Sequence, residues 1–285
     1  YPNLVKEALP GKLLGAFDAL QRDILALDAS PAERDFFRLA LLSTLPVFSR
    51  AVATGGWLSW VEKRNRSVSI LSSFSNQVEK MLHDVREGAI SRRALGSARI
   101  SDARFLPDKG AEYSAVITSP PYPNRHDYTR VFGVELMFGF LDWEAARQLR
   151  YQSFTSHPEA HPDRPNTSGY IRPMKLSRII SAIKKETNEE RIPDMLSGYF
   201  LDMYLCLKEM RRVSKRNAHV ALVVGNAQYY GESIPVDELT AELGESVGFK
   251  CEKLVAARFR GNSAQQMGAF GRRPSRESVV IFVRA

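Results

Sequence analysis

The run Ala115-Val116-Ile117-Thr118 stops abruptly at Ser119 and two consecutive prolines. The apolar run reads as a short interior strand. Proline ends it, because proline has no N–H to continue a ladder and fixes its own φ. A strand that closes in a stiff, polar-tipped loop, here "SPPYPNRHDYTR", sits where open α/β sheets place their chemistry. A second run, Val220-Ala221-Leu222-Val223-Val224, is closed by Gly225-Asn226 and is the clearest buried strand in the chain.

The elements around these two strands predict an α/β order. A short strand ending at Asp102 precedes "YSAVIT", and "YTRVFGVELMFGFLDWEAARQLRYQ" reads as one helix. Residues 152–175 have the composition of a long loop, and the helical runs "KLSRIISAIKKETNEE" and "RIPDMLSGYFLDMYLCLKEMRRVSK" follow. After the strand at Val220 come a helix over "IPVDELTAELGESVGF" and two strands, "CEKLVAARFRG" and "RESVVIFVRA", that can pair as an antiparallel hairpin. Upstream, residues 12–95 predict helices only. Ser30, Pro31 and Glu33 form a start signal, and Gly55-Gly56 breaks the pattern between the second and third helices. The expected organisation is a helical subdomain or insertion over residues 1–96 and a domain over 97–285, with a loop and helix region inserted at about 151–192.

Composition narrows the class. At 285 residues and 44% hydrophobic, the chain can bury a large core. No apolar run approaches the roughly 20 residues of a membrane span, and "YPNLVKEALPGK" lacks the pattern of a secretory leader. Cys206 and Cys251 make neither a disulfide framework nor a zinc site by themselves. His157 and His161 are four apart, but in a proline-rich loop rather than on a helix face, which argues against a metal site. A soluble, cytoplasmic protein with no membrane partner is expected. The formal net charge of +8 suits a polyanion partner, although a solvated arginine-rich surface is the plain alternative.

Ser119-Pro120-Pro121-Tyr122 at the end of a strand resembles the fourth motif of the amino-group DNA methyltransferases, which methylate exocyclic nitrogens of adenine or cytosine. The serine is similar to that of the cytosine-N4 subgroup. The resemblance extends through "SDARFLPDKGAEYSAVITSPPYPNRHDYTRVFGVEL", "VALVVGNA" and the closing "RFRGN…RRPSRESVVIFVRA", roughly residues 97–150 and 194–285. It implies a Rossmann-like, S-adenosylmethionine-dependent sheet with a C-terminal antiparallel hairpin and an N-terminal helical region. It also implies DNA as partner, base flipping, and a place in a restriction–modification system. Adenine-N6 transfer, an RNA or protein amide substrate, and a non-catalytic DNA-binding subunit are the rival readings.

The chemistry of the residues agrees. An exocyclic amino group is a poor nucleophile because its lone pair is delocalised into the ring. Acceptors placed at both N–H groups favour a tetrahedral nitrogen, and Ser119 Oγ with the Pro120 carbonyl can serve as that pair. Pro120 and Pro121 hold the geometry, and Tyr122 can stack on a flipped base for about 1–3 kcal/mol. The plain alternative is a proline-terminated strand whose serine bonds local backbone.

The resemblance places Asp102, Gly225 and Asn226 at the methyl donor. The glycine-rich turn that normally holds that donor is absent from the sequence. In relatives of that order the central strand precedes the fourth motif, so the strand ending at Ser119 would carry an unpaired edge. A preceding segment or a second polypeptide is therefore expected to supply the first strands. Asn124, Arg125 and Arg130 beside the loop, and Arg258, Arg260, Arg272 and Arg273 around the hairpin tip, are the candidate DNA contacts.

Overall fold

The structure, a computed structural model, describes residues 1–62, 68–88, 96–164, 166–261, 268, 271 and 274–285. Arg272 and Arg273 lie outside the described residues. The chain divides into two units, Tyr1–Ala98 with Asp127–Arg150, and Arg99–His126 with Tyr151–Ala285.

The first unit is mainly helical. It holds α1 (Asn3–Ala8), α2 (Lys12–Ala26), α3 (Pro31–Phe48) and α4 (Ile70–Glu87). The expected start of α3 is present: Glu33 N donates to Ser30 Oγ, Glu33 Oε2 accepts from Ser30 N, and Pro31 occupies the first turn. The expectation of helices alone fails at Gly55-Gly56. These two residues join β1 (Ala51–Thr54) to β2 (Trp57–Trp60) as an antiparallel hairpin, with Thr54 opposite Trp57. Gly55 has φ +61°, which the tight loop requires and which glycine adopts without strain. The single helix expected after the proline loop is three helices: α5 (Tyr128–Val131), α6 (Gly133–Gly139) and α7 (Trp143–Gln152). Side chains restart the backbone ladder at two of these starts. Asp127 Oδ1 accepts from Thr129 N and Arg130 N at the first, and Asp142 Oδ1 accepts from Ala145 N at the third. Phe17 centres this unit's core and meets Phe48 and Phe138 edge-on.

The second unit is a mixed α/β layer. Its sheet contains β3 (Tyr113–Thr118), β4 (Ser214–Gly225), β7 (Phe249–Arg260) and β8 (Ser275–Arg284), in the order β3-β4-β8-β7. β3 and β4 are parallel, whereas β8 runs antiparallel to both β4 and β7. The antiparallel terminal pair is the one expected from the sequence. The helices α9 (Arg191–Val213) and α10 (Val236–Ser246) cover one face, with α8 (Met174–Glu186) against α9. Val220, Leu222, Val224, Val280 and Phe282 are buried beneath them. A small hairpin, β5 (Ala227–Tyr229) with β6 (Glu232–Ile234), follows β4. Its three-residue strands are too short to produce a periodic signal.

No strand forms at residues 96–102. Ile100 is the sole apolar side chain larger than alanine there and is fully exposed. β3 is consequently an edge strand among the described residues. On the face away from the helices, Ile117 is 82% exposed, and Ala221, Val223, Val279, Ile281 and Val283 are only half-buried.

One buried carboxylate ties the long loop after α7 to α9. Asp202 is fully buried; it accepts from Thr155 N and Thr155 Oγ1, from Arg164 Nε at 2.8 Å and from Arg104 Nη1 at 3.3 Å. Arg104 also reaches Asp102 and the Gln152 carbonyl. Among its described residues the loop has no regular structure between Ser153 and Pro173, yet Thr155, Ser156 and His157 are buried, and His157 shares a hydrogen bond with Ser153. Removing the shared acceptor takes the carboxylate from Arg164 and leaves Arg104 with Asp102 and the Gln152 carbonyl. Asp202→Ala should cost about 3–5 kcal/mol of stability, measured by urea unfolding, with Asp202→Asn intermediate because its amide oxygen still accepts.

Candidate active site

The loop leaves β3 at Thr118 and is held by four separate anchors. Ser119 Oγ donates to the Val223 carbonyl of β4 at 3.3 Å. Tyr229, a buried residue of β5, donates its hydroxyl to the Pro123 carbonyl at 2.7 Å. Arg125 N donates to the Ser156 carbonyl at 3.0 Å, and within the turn Asn124 Oδ1 accepts from His126 N. The turn is tight: Arg125 takes φ +64°, and its backbone bond to Ser156 holds it there. A non-glycine residue in the left-handed region is strained, and the surrounding bonds keep it in place.

The fourth anchor is Tyr122. Its ring lies against Gly225, where β4 ends. A Cβ on Gly225 would sit 2.7 and 2.8 Å from Tyr122 Cδ2 and Cε2, so only glycine leaves room for the ring. The ring then reaches across to the neighbouring strand. Glu277 of β8 is directly opposite Gly225, and Tyr122 Oη donates to Glu277 Oε1 at 2.7 Å. Burial, then the bond to Glu277, raises the phenol above the ordinary tyrosine range. Glu277 is itself buried, and Arg258 Nε donates to its second oxygen while Arg260 Nη2 lies 3.0 Å from Oε1. The hydrogen bond from Arg258, followed by the one from Tyr122, holds its carboxyl below the ordinary glutamate value. A register shift between Ala256 and Arg258 brings Arg258 opposite Glu277.

A cavity of about 260 Å³ opens beside this arrangement. Tyr122, Asn124, Arg125, Gly225, Asn226 and Arg260 all line it, together with Glu277 and Tyr229. The structure thus brings together six of the residues singled out in the sequence, with Ser119, Pro120 and Pro121 leading into them. Arg258 joins the site through Glu277, whereas Asp102 and Arg130 do not line the cavity. Asp102 accepts from Arg104 N and Nε at 2.9 Å each; burial works against its charge, but these bonds outweigh it and lower the carboxyl's pKa. Arg130 belongs to the helical unit, where it pairs with Asp127 and lies 4.8 Å over the Trp57 ring. Asn226 acts within the fold, its Oδ1 accepting from Asp237 N at the start of α10.

Glu277 and Tyr229 were not singled out in the sequence. The signal for Glu277 is a carboxylate inside the otherwise apolar alternation of "RESVVIFVRA". Its cross-strand partners depend on the register shift in β7, which periodicity does not reveal.

The chain is similar to Type II methyltransferases. M.BsoBI of Geobacillus stearothermophilus is 34% identical over 193 residues, which cover 60% of this chain and 38% of that protein. M.AvaI proteins of a Nostoc species and of Anabaena variabilis are each 27% identical over 282 residues, covering 87% of this chain and 58% of theirs. The chain therefore spans little more than half the length of the M.AvaI relatives. No family model matches it.

The raised phenol keeps Tyr122 protonated, and so a donor to Glu277, beyond the pH at which an ordinary tyrosine ionises. Difference absorbance between the protein and Tyr122→Phe should show this phenolate forming only above the ordinary range. Gly225→Ala, by displacing the ring from its seat, should return the titration towards the ordinary value.

Proposed function

We propose that this chain carries the base-holding part of an S-adenosylmethionine-dependent DNA methyltransferase of a Type II restriction–modification system. It acts on the exocyclic amino group of a flipped base, cytosine N4 in preference to adenine N6. The observation that carries the reading is the state of Ser119. Its Oγ lies 3.3 Å from the Val223 carbonyl and beside the Tyr122 hydroxyl; donation to either leaves its lone pairs to accept from an incoming amino group. With the Pro120 carbonyl it forms the pair of acceptors that such a nitrogen requires, at a site fixed by the two prolines. The serine thus bonds the backbone of the neighbouring strand β4, 104 residues away, rather than local backbone as the plain alternative has it, and that bond supports its role as an acceptor. Tyr122, clamped between Gly225 and Glu277, supplies the aromatic face for the base. Attack on a methyl donor needs alignment above all, which makes rigidity of the loop the main resource.

The donor would supply an activated methyl group, and the residues expected to hold it do not compose one site within this chain. Gly225 and Asn226 line the cavity beside Tyr122, Gly225 covered by the tyrosine ring and Asn226 engaged with α10. Asp102 is outside that cavity, with its carboxylate on Arg104. A separate groove of about 430 Å³ runs along the free edge of β3, lined by Ser101, Leu106, Tyr113 and Ile117 among others. We infer that a further segment or a second polypeptide pairs with this edge, covers the bare apolar face of the sheet and completes the donor site. The unpaired edge and the partial coverage of the M.AvaI relatives support this reading.

Transfer of labelled methyl from S-adenosylmethionine to duplex DNA, followed by nucleoside mass spectrometry, tests the assignment with the chain alone and with whatever polypeptide is encoded immediately before it. N4-methylcytosine in the combined reaction is the expected product. N6-methyladenine would reassign the base, and methylated RNA or protein in its place would reassign the substrate. In the active combination, Ser119→Ala should lower the rate about 100-fold, a typical loss for one oriented polar group, while leaving DNA affinity unchanged.

A further inference from the structure

The arginines of the terminal hairpin are the natural candidates for phosphate contacts, yet two of them converge on a buried carboxylate. Glu277 is 7% exposed and sits between Gly225 on one neighbouring strand and Arg258 on the other. Its oxygens take two hydrogen bonds, from Tyr122 Oη at 2.7 Å and from Arg258 on the second oxygen, and Arg260 forms an ion pair with it at 3.0 Å. A buried carboxylate is costly unless it is paired and hydrogen-bonded. The arginines meet that requirement, and the carboxylate in turn gives the Tyr122 phenol a charge-assisted bond, stronger than a neutral one. Tyr122 is thereby restrained at both ends, by ring contact at Gly225 and by its hydroxyl at Glu277. Arg258 and Arg260 remain partly open to solvent, with side chains 60% and 50% exposed, while their guanidinium groups are turned to Glu277.

We propose that Glu277 is the positioning residue of the base-holding loop, and that Arg258 and Arg260 serve its carboxylate rather than DNA phosphates. The inference rests on the methyltransferase reading for what the loop holds, but not for how the loop is held. It assigns to Glu277 the orientation of Tyr122 and removes two arginines from the expected set of phosphate contacts. Chemically the device is simple. The two cations keep the carboxylate ionised, the ionised carboxylate orients the phenol, and the oriented ring presents one face to the base.

Three substitutions separate the parts of this arrangement. Glu277→Gln keeps an acceptor for Tyr122 but loses the charge, Glu277→Leu loses both, and Arg258→Met with Arg260→Met removes the cations. The Tyr122 phenol, followed by absorbance against Tyr122→Phe, should titrate lower in Glu277→Gln and lower still in Glu277→Leu. The Glu277 carboxyl, followed by ¹³C NMR, should titrate higher in the double arginine variant. Neither titration needs DNA or methyl transfer, so both decide the proposal even where the methyltransferase reading fails.

Binding to a mixed-sequence duplex across a range of salt tests the second half. The slope of log K against log salt should be unchanged in the double arginine variant. It should steepen in Glu277→Gln by about 0.9 for each arginine released to a phosphate. In the active combination, Glu277→Leu should lower kcat about tenfold or more, the scale on which small misplacements act, with little change in KM for DNA. Glu277→Gln should recover most of that loss. An unchanged Tyr122 titration in Glu277→Leu overturns the positioning role. A slope that falls by about two contacts in the double arginine variant returns Arg258 and Arg260 to the phosphate backbone and overturns the other half.

Discussion

A missing side chain and a shared carboxylate govern the site. At Gly225 the sheet leaves an opening the width of one ring, and at Glu277 it places an acceptor where that ring's hydroxyl arrives. The two positions face each other across β4 and β8, so the sheet's hydrogen bonding sets their separation directly. A loop anchored to such a pair inherits the rigidity of the sheet. The remaining anchors, through Val223, Tyr229 and Ser156, act on its backbone and hydroxyl rather than on the ring.

The same sheet is asymmetric in its covering. α9 and α10 bury Val220, Leu222, Val280 and Phe282 on one face, whereas Ile117, Val279 and Ile281 on the other remain partly open. A parallel pair such as β3 and β4 is ordinarily buried on both faces. Among the described residues β3 is an edge, and its outer backbone groups add to that apolar surface. Edge and face together support the proposal that a further segment or a second polypeptide covers them. They lie beside the strand that carries the loop, which supports a donor site completed from outside the described residues.

Much of this was legible beforehand. The strands at Ala115 and Val220, the terminal hairpin, the helix start at Ser30 and the long loop after α7 all follow from local composition and periodicity. The departures have local causes. Gly55-Gly56 makes a hairpin because two glycines suit a two-residue turn, and the flanking "AVAT" and "WLSW" are too short to register as strands. Asp127 caps the expected start at Tyr128, but the helix is divided further on, where Asp142 caps a new start within an unbroken apolar pattern. The strand expected before Asp102 is absent because a single isoleucine has nothing to pair with or pack against among the described residues.

By itself the sequence determined where the stiff loop lies and what it carries, because proline chemistry and apolar runs are properties of neighbouring residues. It also determined that the closing strands form a hairpin, since their alternation and spacing allow little else. Only the tertiary structure decided that Tyr122, Gly225 and Glu277 meet, and that Arg258 and Arg260 turn towards a carboxylate. Those contacts join residues far apart along the chain, and they depend on strand order and on one register shift in β7. A shift of one residue reverses which face a side chain occupies, and no periodicity within a single strand records it.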